Sequence, residues 1–130
     1  MSKKIIAGIL TALVIGAVLF LTLQGPEETT ALSESVRKWI GYQGSGAAFR
    51  SDVHLIEYFI VGLAVIGLAR ILGWKLWTGV LFACAFGLLD EGIKILLPTR
   101  EFGMVDLVKD FFGVFAALGV WKLTDEIRVK

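Results

Sequence analysis

The sequence predicts an all-α fold, a four-helix transmembrane bundle with a short interfacial helix between its first two spans. Three observations carry this. The 130-residue chain is 56% hydrophobic and only 19% charged, with a mean hydropathy of +0.77, whereas a soluble domain is about 45–50% apolar. Four apolar runs of roughly 18–22 residues each have the length that crosses a bilayer. The acids embedded in these runs gather toward one end of three of them. The length suits one domain. A net charge of +1 leaves no basic patch for nucleic acid. The single cysteine, Cys84, lies mid-helix, has no partner for an internal disulfide, and reads as a small packing residue.

The first predicted unit, residues 1–23, opens with Lys3 and Lys4 and continues as an apolar run from Ile5 to Leu23. A signal peptide shares the charged start, but its apolar core is typically about 7–15 residues and ends in a small-residue cleavage site. Leu21-Thr22-Leu23-Gln24 offers no such site, so the run reads as an uncleaved span. Gly8, Ala12 and Gly16 place small side chains on one face, a pattern that lets helices approach closely. Residues 24–51 form the only long hydrophilic segment. Gly25-Pro26 ends the first span. Ser33 to Tyr42 can form an amphipathic helix, with Ser33 as its cap and Val36, Trp39 and Ile40 on one face. Trp39 and Tyr42 suit the headgroup layer. This segment is either a plain connection or a lid lying over the polar end of the bundle.

Residues 52–123 hold the remaining spans: Asp52 to Leu72, closed by Gly73; Lys75 to Leu97, stopped by Pro98; and Gly103 to Leu123. A polar tail, 124–130, follows. Basic residues set the orientation. Cytoplasmic termini place Lys3, Lys4, Arg70, Lys75, Lys122, Arg128 and Lys130 inside, against Arg37, Lys38, Arg50 and Arg100 outside, in accord with the positive-inside rule. His54, Glu57, Asp90, Glu91, Arg100, Asp106 and Asp110 then lie near the outer face. At a rise of about 1.5 Å per residue, Glu57, Glu91 and Asp110 sit at one level, roughly 9 Å into their spans.

Ionisable groups at such depth are costly and usually face a bundle interior or a watery cavity. His54 and Glu57 share a helix face, as do Asp106 and Asp110, because residues three or four apart are neighbours on a helix. Gly79, Ala83, Gly87 and Glu91 form one i+4 row, which points Glu91 into the bundle. Asp90 and Glu91 both lie within reach of Lys94. One reading is structural, with Lys94, Lys109 and Arg100 neutralising Glu91, Asp110 and Glu101 and holding the helices in register. Counting weighs against it. Seven acids from Asp52 to Asp110 face three bases at the outer end, Lys94, Arg100 and Lys109, and excess buried carboxylates must be protonated, hydrated or bound to a cation.

The residues offer two kinds of site. His54, Glu57, Glu91, Asp106 and Asp110 are the candidate catalytic groups, with His54 suited to acid–base work near neutral pH. Arg100, Asp90, Lys94, Tyr58 and Lys109 are the candidate ligand-binding groups. The planar fork of Arg100 matches phosphate oxygens, so an anionic membrane lipid or lipid-linked precursor is the partner considered. One imidazole with several carboxylates could also ligate a divalent cation, although no His-x-x-x-His or Glu-x-x-His pattern is present. No serine or cysteine stands beside His54 as a nucleophile. A transport path would need a homo-oligomer, because four short spans without a repeat leave little room for one.

In this order, His54, Glu57 and Tyr58, then Asp90, Glu91 and Lys94, then Pro98 and Arg100, then Asp106, Asp110 and Gly113, resemble the VanZ-like family of small bacterial membrane proteins. The resemblance spans about Arg50 to Gly119. Lys94 stands where the family usually has Gln, Thr99 replaces the Gly of its Pro-Gly-Arg, and Lys109 adds a charge beside Asp110. The resemblance implies a multi-pass protein of the bacterial cytoplasmic membrane, associated with teicoplanin-type glycopeptide resistance. The role expected is engagement of an anionic lipid or lipid-linked envelope head group, with or without hydrolysis or transfer at its phosphate. The alternative is a non-enzymatic partner that modulates cell-envelope enzymes. Reporter fusions after Lys130 and within Gly41–Gly46 are expected to report opposite sides of the membrane, the C-terminal one cytoplasmic. An external C-terminus contradicts the orientation.

Overall fold

The computed structural model describes residues 1–24, 26–98 and 101–130, with only the backbone described for 26–29 and 47. The described residues form five α-helices and no strand: α1 (Lys3–Leu23), α2 (Pro26–Ile40), α3 (Gly46–Ile71), α4 (Leu76–Leu96) and α5 (Met104–Val129). Two of them, Lys3–Leu23 and the Ala48–Ile71 part of α3, are long and apolar enough to cross a membrane. Helix α3 is the organising element, and each of the other four helices packs on it.

Local chemistry explains most boundaries. The Ser2 side chain accepts from the Ile5 N–H and caps α1, and Ser45 caps α3 by accepting from Ala48. These bonds satisfy amide donors that a helix start leaves open. Gly73 adopts a left-handed φ of 80°. Its N–H donates to Arg70 O, and the Trp74 N–H to Ala69 O, so α3 closes on the glycine-based turn that commonly ends helices. Helix α4 stops at Leu96, just ahead of Leu97 and Pro98. The residue before a proline is pushed out of helical geometry, and Leu97 is extended accordingly.

Three elements differ from the sequence reading. Helix α2 begins at Pro26, so Ser33 lies inside it and its hydroxyl donates to Thr30 O instead of capping. A proline at the first helical position costs nothing, since its missing N–H would be unpaired there. Helix α3 begins at Gly46, ahead of Asp52, and α5 continues through Val129, taking up the expected tail. Gly8 and Gly16 of the Gly8-Ala12-Gly16 face meet no close neighbour among the described residues. A Cβ added at Gly8 or Gly16 would meet no atom within 4 Å, and α1 instead buries Thr11, Val18 and Thr22.

The core is a thin seam of Tyr58, Val61 and Ile66 from α3, Val80 and Ala83 from α4, Val114, Ala117 and Leu118 from α5, and Val18 from α1. Small residues make it tight. A Cβ on Gly113 would lie 2.5 Å from Leu55 O and 2.7 Å from Phe59 N, and one on Gly79 would lie 2.7 Å from Ile66 Cα. Helices α3, α4 and α5 therefore meet nearly backbone to backbone. Meanwhile Leu13, Phe20, Leu81, Phe82, Leu89, Phe112 and Leu123 are exposed, while Asp90, Glu91, Lys94 and Asp110 are buried. Away from the polar cluster, Arg70 pairs with Asp125 and lies over the Trp121 ring, whose indole N–H donates to Leu63 O at 3.1 Å.

Gly113→Val is expected to lower the stability of the detergent-solubilised protein by about 1–3 kcal/mol or more, the usual cost of overpacking. Gly16→Ala should be neutral or stabilising by up to about 1 kcal/mol, the helix-propensity gain. Thermal unfolding of the two variants checks both.

Candidate functional site

One end of the α1–α3–α4–α5 bundle carries the polar residues, and the direction of each helix puts them there. Thr22 is near the end of α1, His54, Glu57 and Tyr58 are in the first half of α3, Asp90, Glu91 and Lys94 close α4, and Asp106 and Asp110 open α5. Buried Gly87 is the hinge of the arrangement. A Cβ there would meet the Tyr58 ring at 3.2 Å and the Asp110 Cβ at 3.6 Å, so its bare backbone lets both side chains in.

Asp90 is 1% exposed and satisfied. The Tyr58 hydroxyl donates to Oδ2 at 2.9 Å, and the Thr22 hydroxyl bonds Oδ1. Glu91 is fully buried, as its place in the Gly79-Ala83-Gly87 row predicts. Lys94 Nζ donates to its Oε1 at 2.5 Å and the Gly103 N–H to its Oε2 at 3.2 Å. Lys94 is itself only 4% exposed, so this is a buried ion pair.

Asp110 is different. It is 0% exposed, yet neither carboxyl oxygen has a hydrogen-bond partner among the described residues, and nor does His54 Nδ1. These atoms face each other, Nδ1 lying 3.4 Å from Oδ1. Around the same imidazole, Glu57 Oε2 stands 4.0 Å from Nδ1 and Asp106 Oδ2 stands 3.8 Å from Nε2. Both are beyond ordinary hydrogen-bonding distance. Ligand atoms of His54, Glu91 and Asp110 all lie within 4.8 Å of one another, a grouping that could hold a metal ion.

Lys109 does not neutralise Asp110. It reaches along the surface to Asp52 Oδ1 at 3.2 Å. Asp52 Oδ2 in turn accepts from the Tyr42 hydroxyl at 2.7 Å, a bond that raises the Tyr42 pKa above its usual value. Asp52, expected to open its span, lies inside α3 and ties the α2–α3 connection to α5 beside the cluster. The Arg37 guanidinium reaches Glu34 Oε2 at 2.6 Å and Gly44 O at 3.2 Å, fastening α2 to the same connection. The hydrogen bond from Arg37 also holds the Glu34 carboxyl below its ordinary pKa. Arg100 and Thr99 lie outside the described residues.

The structure therefore brings together His54, Glu57, Tyr58, Asp90, Glu91, Lys94, Asp106 and Asp110, and leaves Lys109 at the rim. Two contributors escaped the sequence reading. The Gly103 amide carries no side-chain signal at all. Thr22 had one: Thr11 and Thr22 are the two hydroxyl residues inside an apolar run and fall three turns apart on one face. Thr11 uses that face to reach Ala64 O at 3.2 Å. Comparison with protein-family models, curated proteins and solved structures returned no match.

Paired and unpaired acids should respond oppositely to neutralisation. Glu91→Gln leaves Lys94 buried without its partner, a loss of about 3–5 kcal/mol, and the double change with Lys94→Gln should recover much of it. Asp110→Asn removes a buried charge that accepts no hydrogen bond and has only the His54 imidazole beside it, and should leave thermal stability unchanged or raised. Thermal unfolding of the three variants in detergent provides the comparison.

Proposed function

We propose that the chain is a four-span, VanZ-like protein of the bacterial cytoplasmic membrane whose polar end faces outward and engages the head group of an anionic lipid or lipid-linked envelope precursor. Support for the membrane setting comes from the inverted distribution of residues. An apolar exterior around a buried ionic cluster is costly in water and suits hydrocarbon. Helix α2 fits the interface, because Leu32, Val36, Trp39 and Ile40 leave one apolar ridge exposed, as in helices that lie in the headgroup layer.

The observation that carries the ligand reading is Asp110. A buried acid with two unpaired oxygens is expensive as scaffold, and sites built to receive a ligand are where such a cost persists. The group reaching Asp110 must donate hydrogen bonds or be a cation, since the surrounding groups are predominantly acids. The phosphate of the head group belongs nearer the rim, by Lys109 and, from its place in the sequence, Arg100. The exposed apolar face of α5 formed by Met104, Val105, Val108 and Phe112 would give an acyl chain a place beside that rim. The runner-up reading, a partner protein held together by charge pairs, draws on the satisfied Asp90 and the Glu91–Lys94 pair.

Lipid mass spectrometry on protein purified in mild detergent tests the proposal. The wild-type chain is expected to retain a defined anionic lipid, and Asp110→Asn and His54→Ala to retain about tenfold less, with Gly16→Ala unchanged. Equal retention by all four proteins contradicts it. Spin labels at Trp39 and Ile40 should show shallow immersion, and full water exposure would remove the interfacial placement of α2.

A further inference from the structure

The geometry points to a divalent transition-metal site formed by His54 Nδ1, a Glu91 carboxyl oxygen and an Asp110 carboxyl oxygen. The inference rests on the cluster being a ligand site and is independent of whether the larger ligand is a lipid. Three observations lead to it. First, the donor atoms converge from three helices to within 4.8 Å of one another. Two donors about 2.1 Å from one ion at a tetrahedral angle lie about 3.4 Å apart, and His54 Nδ1 and Asp110 Oδ1 are separated by 3.4 Å. Second, the two groups making that edge have buried atoms without a hydrogen bond: Nδ1 of His54 and both oxygens of Asp110, a fully buried side chain. Third, the charges do not balance. Glu57, Asp90, Glu91, Asp106 and Asp110 share this end of the bundle with one described buried ammonium, that of Lys94. A protonated His54 beside Asp110 offsets one of these charges, whereas a divalent ion on the same atoms offsets two.

The donor set selects the ion class. Calcium and magnesium take oxygen ligands, whereas one imidazole with two carboxylates suits zinc, manganese or iron. Glu91 keeps capacity for a metal while holding Lys94 and the Gly103 N–H, because each carboxylate oxygen has two lone pairs. Asp106 stands 3.8 Å from Nε2 on the far side of the imidazole, and a small approach to hydrogen-bond distance would let it orient the ring, the usual role of a carboxylate behind a metal-bound histidine. Three protein ligands leave a coordination position open, as in catalytic rather than structural zinc sites. An oxygen of a phosphate head group could enter there, which reconciles an acid-lined cluster with an anionic ligand.

The test uses the full chain purified in detergent, stripped with a chelator and titrated with Zn2+ or Mn2+. His54 is the single histidine, so carbethoxylation by diethyl pyrocarbonate, followed by absorbance, reports on this imidazole alone. The wild-type protein is expected to bind one ion per chain, with Zn2+ or Mn2+ slowing carbethoxylation at least tenfold and Mg2+ or Ca2+ leaving it unchanged. Asp110→Asn should weaken Zn2+ binding at least tenfold, Asp106→Asn by about 10–100-fold, and Gly16→Ala not at all. Failure to bind a stoichiometric ion, equal reactivity of His54 with and without metal, or equal protection by Mg2+ overturns the proposal. The protection assay is made on wild-type protein, so it decides the matter even where a variant does not fold. Lipid measured on the same samples separates the two readings: metal without lipid removes only the head-group proposal, and lipid without metal removes only this one.

Discussion

A carboxylate taken out of water must be paired, protonated or bound, and the polar end of this bundle is arranged around that requirement. The penalty for an uncompensated buried charge runs to several kcal/mol, comparable to much of the stability of a small domain. Asp90 meets the requirement with two hydroxyls, and Glu91 with Lys94 and a backbone amide. Asp110 accepts no hydrogen bond from the described residues and has only the His54 imidazole, 3.4 Å away, beside it. The contrast within one cluster, in similar burial, separates the groups that hold the helices in place from the group that waits for something else.

Helix geometry keeps the neighbouring lysine away from Asp110. Gly113 seats α5 directly on the α3 backbone, and Gly87 opens the space that Tyr58 and Asp110 share. Lys109, one residue before Asp110 and therefore about 100° around the helix from it, pairs with Asp52 at the surface. Remote from this end, Arg70, Asp125 and Trp121 form a conventional clasp with no buried unpaired group, so the irregularity is local to the cluster.

Much of this was legible in the sequence because helical periodicity is a strong signal. The i+4 row from Gly79 to Glu91 placed Glu91 inside, and the shared level of Glu57, Glu91 and Asp110 anticipated the convergence. What was not legible depended on three-dimensional neighbours. Nothing in the sequence says that Lys94 chooses Glu91 over Asp90, or that Lys109 chooses Asp52 over Asp110. The Gly8-Ala12-Gly16 stripe satisfied the pattern for close packing, yet α1 turned its Thr11–Thr22 face inward, because those hydroxyls find acceptors on α3 and α4. The start of α2 at Pro26 was hidden by a capping rule applied to Ser33, when a proline can open a helix unaided.

The most direct measurement is a density map of the chain purified in native lipid, resolved well enough to place side chains and ions between α3, α4 and α5. An Asp110 kept open for a ligand predicts density bridging His54 Nδ1 and the Asp110 carboxylate, with Lys109 still on Asp52. A direct pairing of Asp110 with a protein cation, and no density between it and His54, would contradict the reading of this cluster as a binding site.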